Sequence, residues 1–342
     1  MSSTVGPAFE AAEIDTSRVA FGALASLRPD GIRLPEAGSP IRVAFVGQRT
    51  YFELCSQRVA SPAIEPKFFD HRSGFDSSSL TAQMATFDPH LVVVFRPELI
   101  APGSFDSLHA PVLGVLTEPL PRTGDPTHPD LARRLDDLAA VHAPSFDRII
   151  SFDPMIAETA QRYVPVWRSV PLPVADEVFG WNPSMSNPPK LLFIGRSTHH
   201  RDGFLVPLKH HFDLLHIDHG VFGDGFIDLA RSGCDIAINV HNEPYPSFEN
   251  RVALHLAAGH LVISERLSPS HGLEPDIDFI EASTPEAMMA AVVRVRNHPD
   301  AYGLMRWRGR LKAEGFRAST VWARLLHDLL LDLSAFGGRR DG

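Results

Sequence analysis

The sequence predicts an α/β chain built as two Rossmann-like, doubly wound parallel-sheet domains that face each other across a central cleft. Three observations carry this prediction. Short apolar runs rich in branched residues recur along the chain and alternate with helix-compatible segments. A proline-rich stretch interrupts that rhythm near the middle. The length, 342 residues of which 44% are hydrophobic, is enough for about two domains of ordinary size.

Residues 1–40 mix Ser, Gly, Pro and acidic residues around one apolar patch, Val19 to Leu27, and read as a loose N-terminal extension with one helix. The rhythm then begins with Ile41–Val46, closed by Gly47, and continues through Leu91–Phe95, Pro111–Leu116 and Arg148–Phe152 as buried strands. Helices are predicted near 50–58, 76–86, 130–140 and 154–163, so 41–165 reads as the first domain. Six prolines between Pro165 and Pro189 mark 166–189 as a linker. The pattern restarts at Lys190–Ile194, with Phe212–Ile217, Asp235–Val240 and His260–Ser264 as further strands and helices near 203–211, 224–232, 248–258 and 284–297. Residues 190–316 make the second domain. The last stretch, 317–342, reads as a helix returning toward the first domain, with Val321, Leu325, Leu326, Leu329 and Leu330 on one stripe.

Composition excludes several function classes. Forty-one acidic residues against thirty-two basic ones give a formal charge of −9, contrary to the basic surface a general nucleic-acid binder needs. No stretch has the ~18 to 20 apolar residues of a transmembrane segment, and residues 1–20 lack the pattern of a signal peptide, so a soluble, cytoplasmic protein is expected. Cys55 and Cys234 stand far apart in apolar contexts and read as buried thiols. Only four basic residues are lysines, so arginine is the expected phosphate ligand.

In a doubly wound domain the ligand crevice lies at the carboxyl ends of the strands, which directs attention to the loops there. Gly195-Arg196-Ser197-Thr198-His199-His200-Arg201-Asp202-Gly203 follows a strand and precedes a helix. Glycine lets backbone amides approach an anion, and Arg196 and Arg201 are candidates to clamp two phosphates. The stretch is neither GxGxxG nor a Walker loop, which counts against nicotinamide binding and nucleotide hydrolysis. A second constellation runs from Asn239 through His241 to Arg251. Here Ser247 is expected to cap a helix, leaving the amides of Phe248, Glu249 and Asn250 free for an anion in the cleft.

These residues resemble a known family, the GT-B fold glycosyltransferases, particularly the retaining single-subunit group and its spore-maturation-like relatives. The resemblance covers about 41–334 and is strongest over 190–330. It rests on Leu191–Arg196 with a basic residue five positions on, on Ser247–Glu265 ahead of the turn at Gly272–Asp276, and on Arg317-Ala318-Ser319 leading into a long helix. It implies that Arg196 and Arg201 hold a donor diphosphate, with Gly47, Gly195, His241, Ser247, Phe248, Glu249 and Asn250 completing the donor site. It further implies that 41–165 binds the acceptor and 190–316 the nucleotide sugar. Leu254 and Pro246 stand where well-known members carry the acidic residues that contact ribose and sugar, so the donor is held in another way or the local loop differs.

Gly47-Gln48-Arg49-Thr50 resembles the family's flexible glycine loop facing the cleft, and Thr117-Glu118-Pro119 stands where relatives often have His-Glu-Pro. Glu118 is the candidate to orient or deprotonate an acceptor hydroxyl; Arg96-Pro97-Glu98 ranks below it. His199, His200, His210, His211, His216 and His219 match no standard metal-ligand spacing, and Asp276-Ile277-Asp278 reads as a turn rather than a metal-binding DxD. Trp307 and Trp322 read as core or domain-packing residues. The expectation is therefore a metal-independent, retaining glycosyltransferase that moves a hexose from a nucleotide sugar to an acceptor hydroxyl and needs no other cofactor. The alternative is a non-catalytic sugar-nucleotide or glycan-binding protein of the same fold.

Overall fold

Residues with branched or aromatic side chains favour an extended backbone, and a strand covered on both faces needs apolar residues at every position rather than at alternate ones. The first run meets that condition except at Arg42: Ile41, Val43, Ala44, Phe45 and Val46 have essentially no exposed surface. In a computed structural model, which describes residues 32–36, 38–76, 78–123 and 128–338, it becomes β1 (Ile41–Gly47). The chain continues through α1 (Arg49–Phe52), β2 (Ile64–Asp70), α2 (Ser78–Ala85), β3 (Leu91–Phe95) and β4 (Val112–Leu116). It then adds α3 (Pro129–Ala139), β5 (Arg148–Ser151), α4 (Ala157–Ala160) and β6 (Val166–Ser169). These six strands form one parallel sheet in the order β2-β1-β3-β4-β5-β6.

The second sheet repeats the plan with five parallel strands. β7 (Leu191–Ile194), α5 (His199–His211), β8 (Leu214–Ile217), α6 (Asp224–Ser232) and β9 (Ile236–Asn239) lead to α7 (Asn250–Ala257) and β10 (Leu261–Ser264), and β11 (Ile280–Glu281) completes it. Their order is β11-β10-β9-β7-β8. Three helices follow, α8 (Pro285–Asn297), α9 (Gly303–Lys312) and α10 (Ala318–Phe336).

The order in which successive strands are added reverses between β1 and β3 in one sheet and between β7 and β9 in the other, and open parallel sheets form their crevices at such points. α10 runs back to the first sheet, where Trp322, Leu326, Leu329 and Leu330 pack with Phe45, Val93 and Phe95 in one buried cluster. Burying a side chain of that size contributes roughly 1.5–3 kcal/mol. The Trp322 indole also donates to the Cys55 carbonyl at 2.9 Å.

The structure departs from the sequence reading at several elements. β2 was not foreseen, because its charged Glu65 and Lys67 break the apolar run on a sheet edge where such residues are tolerated. Val166–Ser169, read as the start of the linker, is the other edge strand, half-buried along its length. α5 begins at His199, not 203, because Thr198 caps it and accepts from the Arg201 amide at 3.2 Å. α7 begins at Asn250 rather than 248. Trp322 is buried, but Trp307 is 40% exposed and is not a core residue. The apolar patch Val19–Leu27 lies outside the described residues; Ile32 and Leu34, further along the extension, pack against the first core. No described helix is long and apolar enough to cross a membrane.

Candidate functional site

The two reversal points bring two adjoining cavities together between the sheets. The larger, about 550 Å³, is lined by Gly195, Arg196, Arg201 and Arg251 on one side and by an apolar wall that includes Val221, Phe222, Phe226 and Leu254. The smaller, about 380 Å³, is lined by Arg96, Glu118 and Arg134 from the first half and by Tyr245, Ser247 and Phe248 from the second. Tyr51, Asn242, Glu249 and Asn250 border both. Residues distant in sequence thus share one cleft, which is tied across by Tyr245 Oη donating to Asp130 Oδ2 at 2.9 Å and by Arg122 bonding Ser268.

Gly195 ends β7 at φ +150°, and a Cβ there would meet the Arg251 guanidinium at 2.6 Å, so glycine is required by both backbone and space. Arg196 and Arg201 are both on the cavity wall, yet they differ. Arg196 is exposed and has one long contact, Nε to Asn242 Oδ1 at 3.5 Å. Arg201 is 4% exposed and fully engaged: Nε donates to the Val240 carbonyl at 3.1 Å, Nη1 to the Arg196 carbonyl at 3.0 Å, and Nη2 to Glu249 at 3.2 Å. Burial, with the Arg196 charge beside it, brings its guanidinium down to about 10, so it stays cationic at neutral pH. The expected pair of phosphate clamps is therefore one free guanidinium and one that holds the loop beneath it. Sequence missed this because Arg201 falls in the first turn of α5 rather than in the loop.

Ser247 does not cap α7. Its hydroxyl meets His241 Nδ1 at 3.3 Å, and Glu249 occupies the cap position without a side-chain capping bond. Glu249 instead gathers Arg201, Arg251 and the Asn242 amide, the last at 3.1 Å. The Val252 amide already donates to the Glu249 carbonyl at 2.9 Å, so the amides at the head of α7 without a helical partner are those of Asn250 and Arg251. Asn250 Nδ2 contacts Cys55 Sγ at 3.0 Å, while its Oδ1 has no partner. Burial pushes the Cys55 thiol up to about 12, leaving it protonated.

Phe248 lines the smaller cavity while packing in the second core. His241 is buried behind the wall, its Nε2 donating to the Arg266 carbonyl at 2.9 Å, and burial keeps its imidazole below the usual range. Gly47 lines neither cavity: a Cβ there would come within 3.0 Å of Phe95 Cβ, beside the stacked Phe52–Phe95 rings. That glycine serves close packing rather than ligand approach.

Glu118 lies 3.2 Å from Arg134 Nη1 and 3.9 Å from Arg96 Nε. Arg96 holds a left-handed backbone at φ +64° and bonds Glu98 at 2.7 Å; burial keeps the Glu98 carboxyl above the usual range despite that partner. Burial opposes ionisation of Asp130 as well, but Arg134, the Tyr245 hydroxyl and Arg133 together hold its carboxyl below the usual range. Burial, countered in part by Arg134, raises the Tyr245 phenol. Arg134, Tyr245, Asp130 and Arg251 escaped the sequence reading, since nothing in a lone arginine or tyrosine shows which distant element it will face.

The DxD is a turn whose Asp278, nearly fully buried, bonds Arg308 at 3.1 Å and the Glu274 amide at 3.0 Å. The histidines of 199–219 separate: His200 pairs with Glu265 at 3.0 Å and His216 with the Gly195 carbonyl at 2.8 Å, while His219 is exposed.

No family model and no curated protein matches the sequence. Solved structures match its shape. The Anabaena protein HepE, solved with UDP and glucose, superposes with a TM-score of 0.56 at 10% identity over 86% of this chain and 100% of its own. Sucrose-phosphate synthase from Thermosynechococcus elongatus gives 0.55 at 10% identity, covering 86% and 99%. An α-glucosyltransferase solved with UDP and a 13-mer DNA gives 0.54 at 10% identity, covering 85% and 100%. Two Rossmann-like sheets around one cleft, with the last helix crossing back, define the class: the chain has the GT-B fold. At 10% identity the likeness lies in that architecture.

Proposed function

We propose that the chain is a glycosyltransferase that moves a sugar, a hexose in the simplest case, from a nucleotide-sugar donor to an acceptor hydroxyl. The observation that carries this reading is the pairing of an uncommitted Arg196 with the exposed start of α7 across one cavity. The donor's diphosphate sits there, its charge met by the guanidinium and the first-turn amides, which also stabilise the leaving nucleotide as the glycosidic bond breaks. Arginine and amides do this without a metal, so transfer is metal-independent and needs no further cofactor. The base lies against Val221, Phe222, Phe226 and Leu254, and the unpartnered Asn250 carbonyl oxygen meets donor hydroxyls.

Residues 41–165, with 317–342 returning to them, hold the acceptor, and 190–316 hold the donor, joined through 166–189. Glu118, already engaged by Arg134 and Arg96, is suited to accept a hydrogen bond from the acceptor hydroxyl and orient it. Arg201 is a positioning residue that fixes the Arg196 carbonyl. Retention of configuration rests on the resemblance alone. Two buried free thiols fit a cytoplasmic setting, and the acidic balance fits an acceptor other than nucleic acid.

A second reading, a binding protein without turnover, is favoured by one observation: Leu254 lines the larger cavity, so no carboxylate faces it from that turn of α7. Calorimetry with uridine and guanosine diphosphates, followed by a screen of nucleotide sugars for sugar release, tests both. Micromolar binding of one nucleotide with release of its sugar is the expected result. Binding without release supports the second reading, and no binding of either nucleotide defeats both.

A further inference from the structure

Beneath α7 three ligating side chains meet in the core, next to Phe226 of the cavity wall. Cys234, just before β9, His255 on α7 and His260 just before β10 bring one ligand atom each within 4.8 Å of one another. The two imidazoles are essentially inaccessible, at 1% and 3% exposure, and Cys234 is nearly so at 9%. His260 Nε2 donates to the Ala230 carbonyl at 2.9 Å, which leaves its Nδ1 as a lone pair turned toward His255 Nδ1 at 3.0 Å. His255 Nε2 has no partner at all.

We propose that Cys234, His255 and His260 form a structural site for a thiophilic divalent cation, Zn²⁺ in the first instance, that staples α7 to the strands on either side of it.

A backbone carbonyl on the far ring nitrogen is the arrangement that fixes the tautomer of a metal-ligating histidine. Two nitrogens on a tetrahedral zinc lie about 3.3 Å apart, so the 3.0 Å between the Nδ1 atoms needs only a slight opening. A thiolate with two imidazoles is a soft, nitrogen-rich donor set that suits Zn²⁺ and not Mg²⁺ or Ca²⁺. The metal binds as the thiol loses its proton, forming one S–Zn bond and releasing one H⁺, while both rings bind neutral. The Asp235 carboxylate and the Arg306 guanidinium act on the site with opposite sign. Without metal, burial holds the thiol protonated and both imidazoles neutral, so the cluster is an uncharged hydrogen-bonded group.

The staple's effect would be on the donor wall. His255 lies five residues along α7 from Asn250, about 7.5 Å, and fixing it from beneath holds the first turn in place. This site is independent of whether the cleft transfers sugar.

The test uses the full chain, purified without chelator, in metal analysis, thermal unfolding and cobalt titration. One equivalent of zinc, a melting temperature that falls on chelation and recovers with added zinc, and a Co²⁺ adduct with a thiolate-to-cobalt absorption band are the expected results. Cys234→Ser should abolish the thiolate band while leaving the chain folded by circular dichroism. A wild-type chain that retains no zinc, melts at the same temperature with chelator or added zinc, and gives no thiolate–cobalt band overturns the proposal. The wild-type readings decide the matter even if Cys234→Ser does not fold.

Discussion

The two walls of the cleft handle charge in opposite ways. On the second-half wall Arg201, Arg251 and Glu249 satisfy one another and the backbone, and Arg196, with one long side-chain contact, lines the larger cavity beside them. On the first-half wall Arg96 and Arg134 are each tied to a neighbour, Glu98 at 2.7 Å and Asp130 at 2.9 Å, but both meet Glu118 only loosely, at 3.2 to 3.9 Å, and Arg134 Nε and Nη1 make no hydrogen bond. Buried ion pairs are rigid and costly to break, whereas part-exposed ones rearrange at little cost. On the proposed reading, the wall that holds the donor is thus the more firmly locked, and the wall that holds the acceptor keeps unpaired donors free to rearrange.

Arg201→Ala is the strongest way to break this comparison. It takes the side-chain donor from the Val240 and Arg196 carbonyls and one of three partners from Glu249, and removing one partner of a buried pair typically costs about 3–5 kcal/mol. The urea midpoint should fall accordingly. An unchanged midpoint with lost nucleotide binding would return Arg201 to the role of a direct phosphate ligand. Arg196→Ala sharpens the same contrast: nucleoside diphosphate affinity drops at least tenfold, about 1.4 kcal/mol, with the midpoint unmoved, as read by calorimetry and denaturation together.

Tyr245→Phe removes the hydrogen bond to Asp130 across the cleft and should cost about 1 kcal/mol, read as a small loss of stability. The same change in Arg133, exposed on the outer side of Asp130, should cost less. A separate effect is on pH dependence. Burial alone brings the His271 imidazole to about 4, from an ordinary value near 6.5. Between those values the unfolded chain binds the proton that the folded one refuses, so stability is complete above about 6.5 and declines as the pH falls toward about 4. His271→Leu should flatten part of that decline in unfolding curves taken at successive pH values.

Much of the architecture was legible because a strand buried on both faces is apolar almost throughout, as Leu91–Phe95 is and as Ile41–Val46 is apart from Arg42 near its start. The edges were not. β2 and β6 face solvent along one side, so their residues carry no continuous apolar signal. The loop at Gly195 was visible from glycine after a strand, but the division of labour between its arginines depends on where Thr198 starts α5, one turn earlier than the apolar pattern suggests. Ser247 was read as a cap from residue type; His241, six positions away, claims its hydroxyl instead. Partners such as Tyr245 and Asp130, 115 residues apart, follow from the way the halves meet, which local pattern does not encode.

The return of α10 to the first sheet has a consequence for biosynthesis. As the polypeptide leaves the ribosome, Phe45, Val93 and Phe95 are made early, whereas the Trp322 and leucine stripe that covers them emerges more than two hundred residues later. Throughout that interval one face of the first sheet is naked, an adhesive surface that holdase chaperones would recognise. Translation that stalls before α10 therefore yields a product marked for removal, whatever the state of the second half.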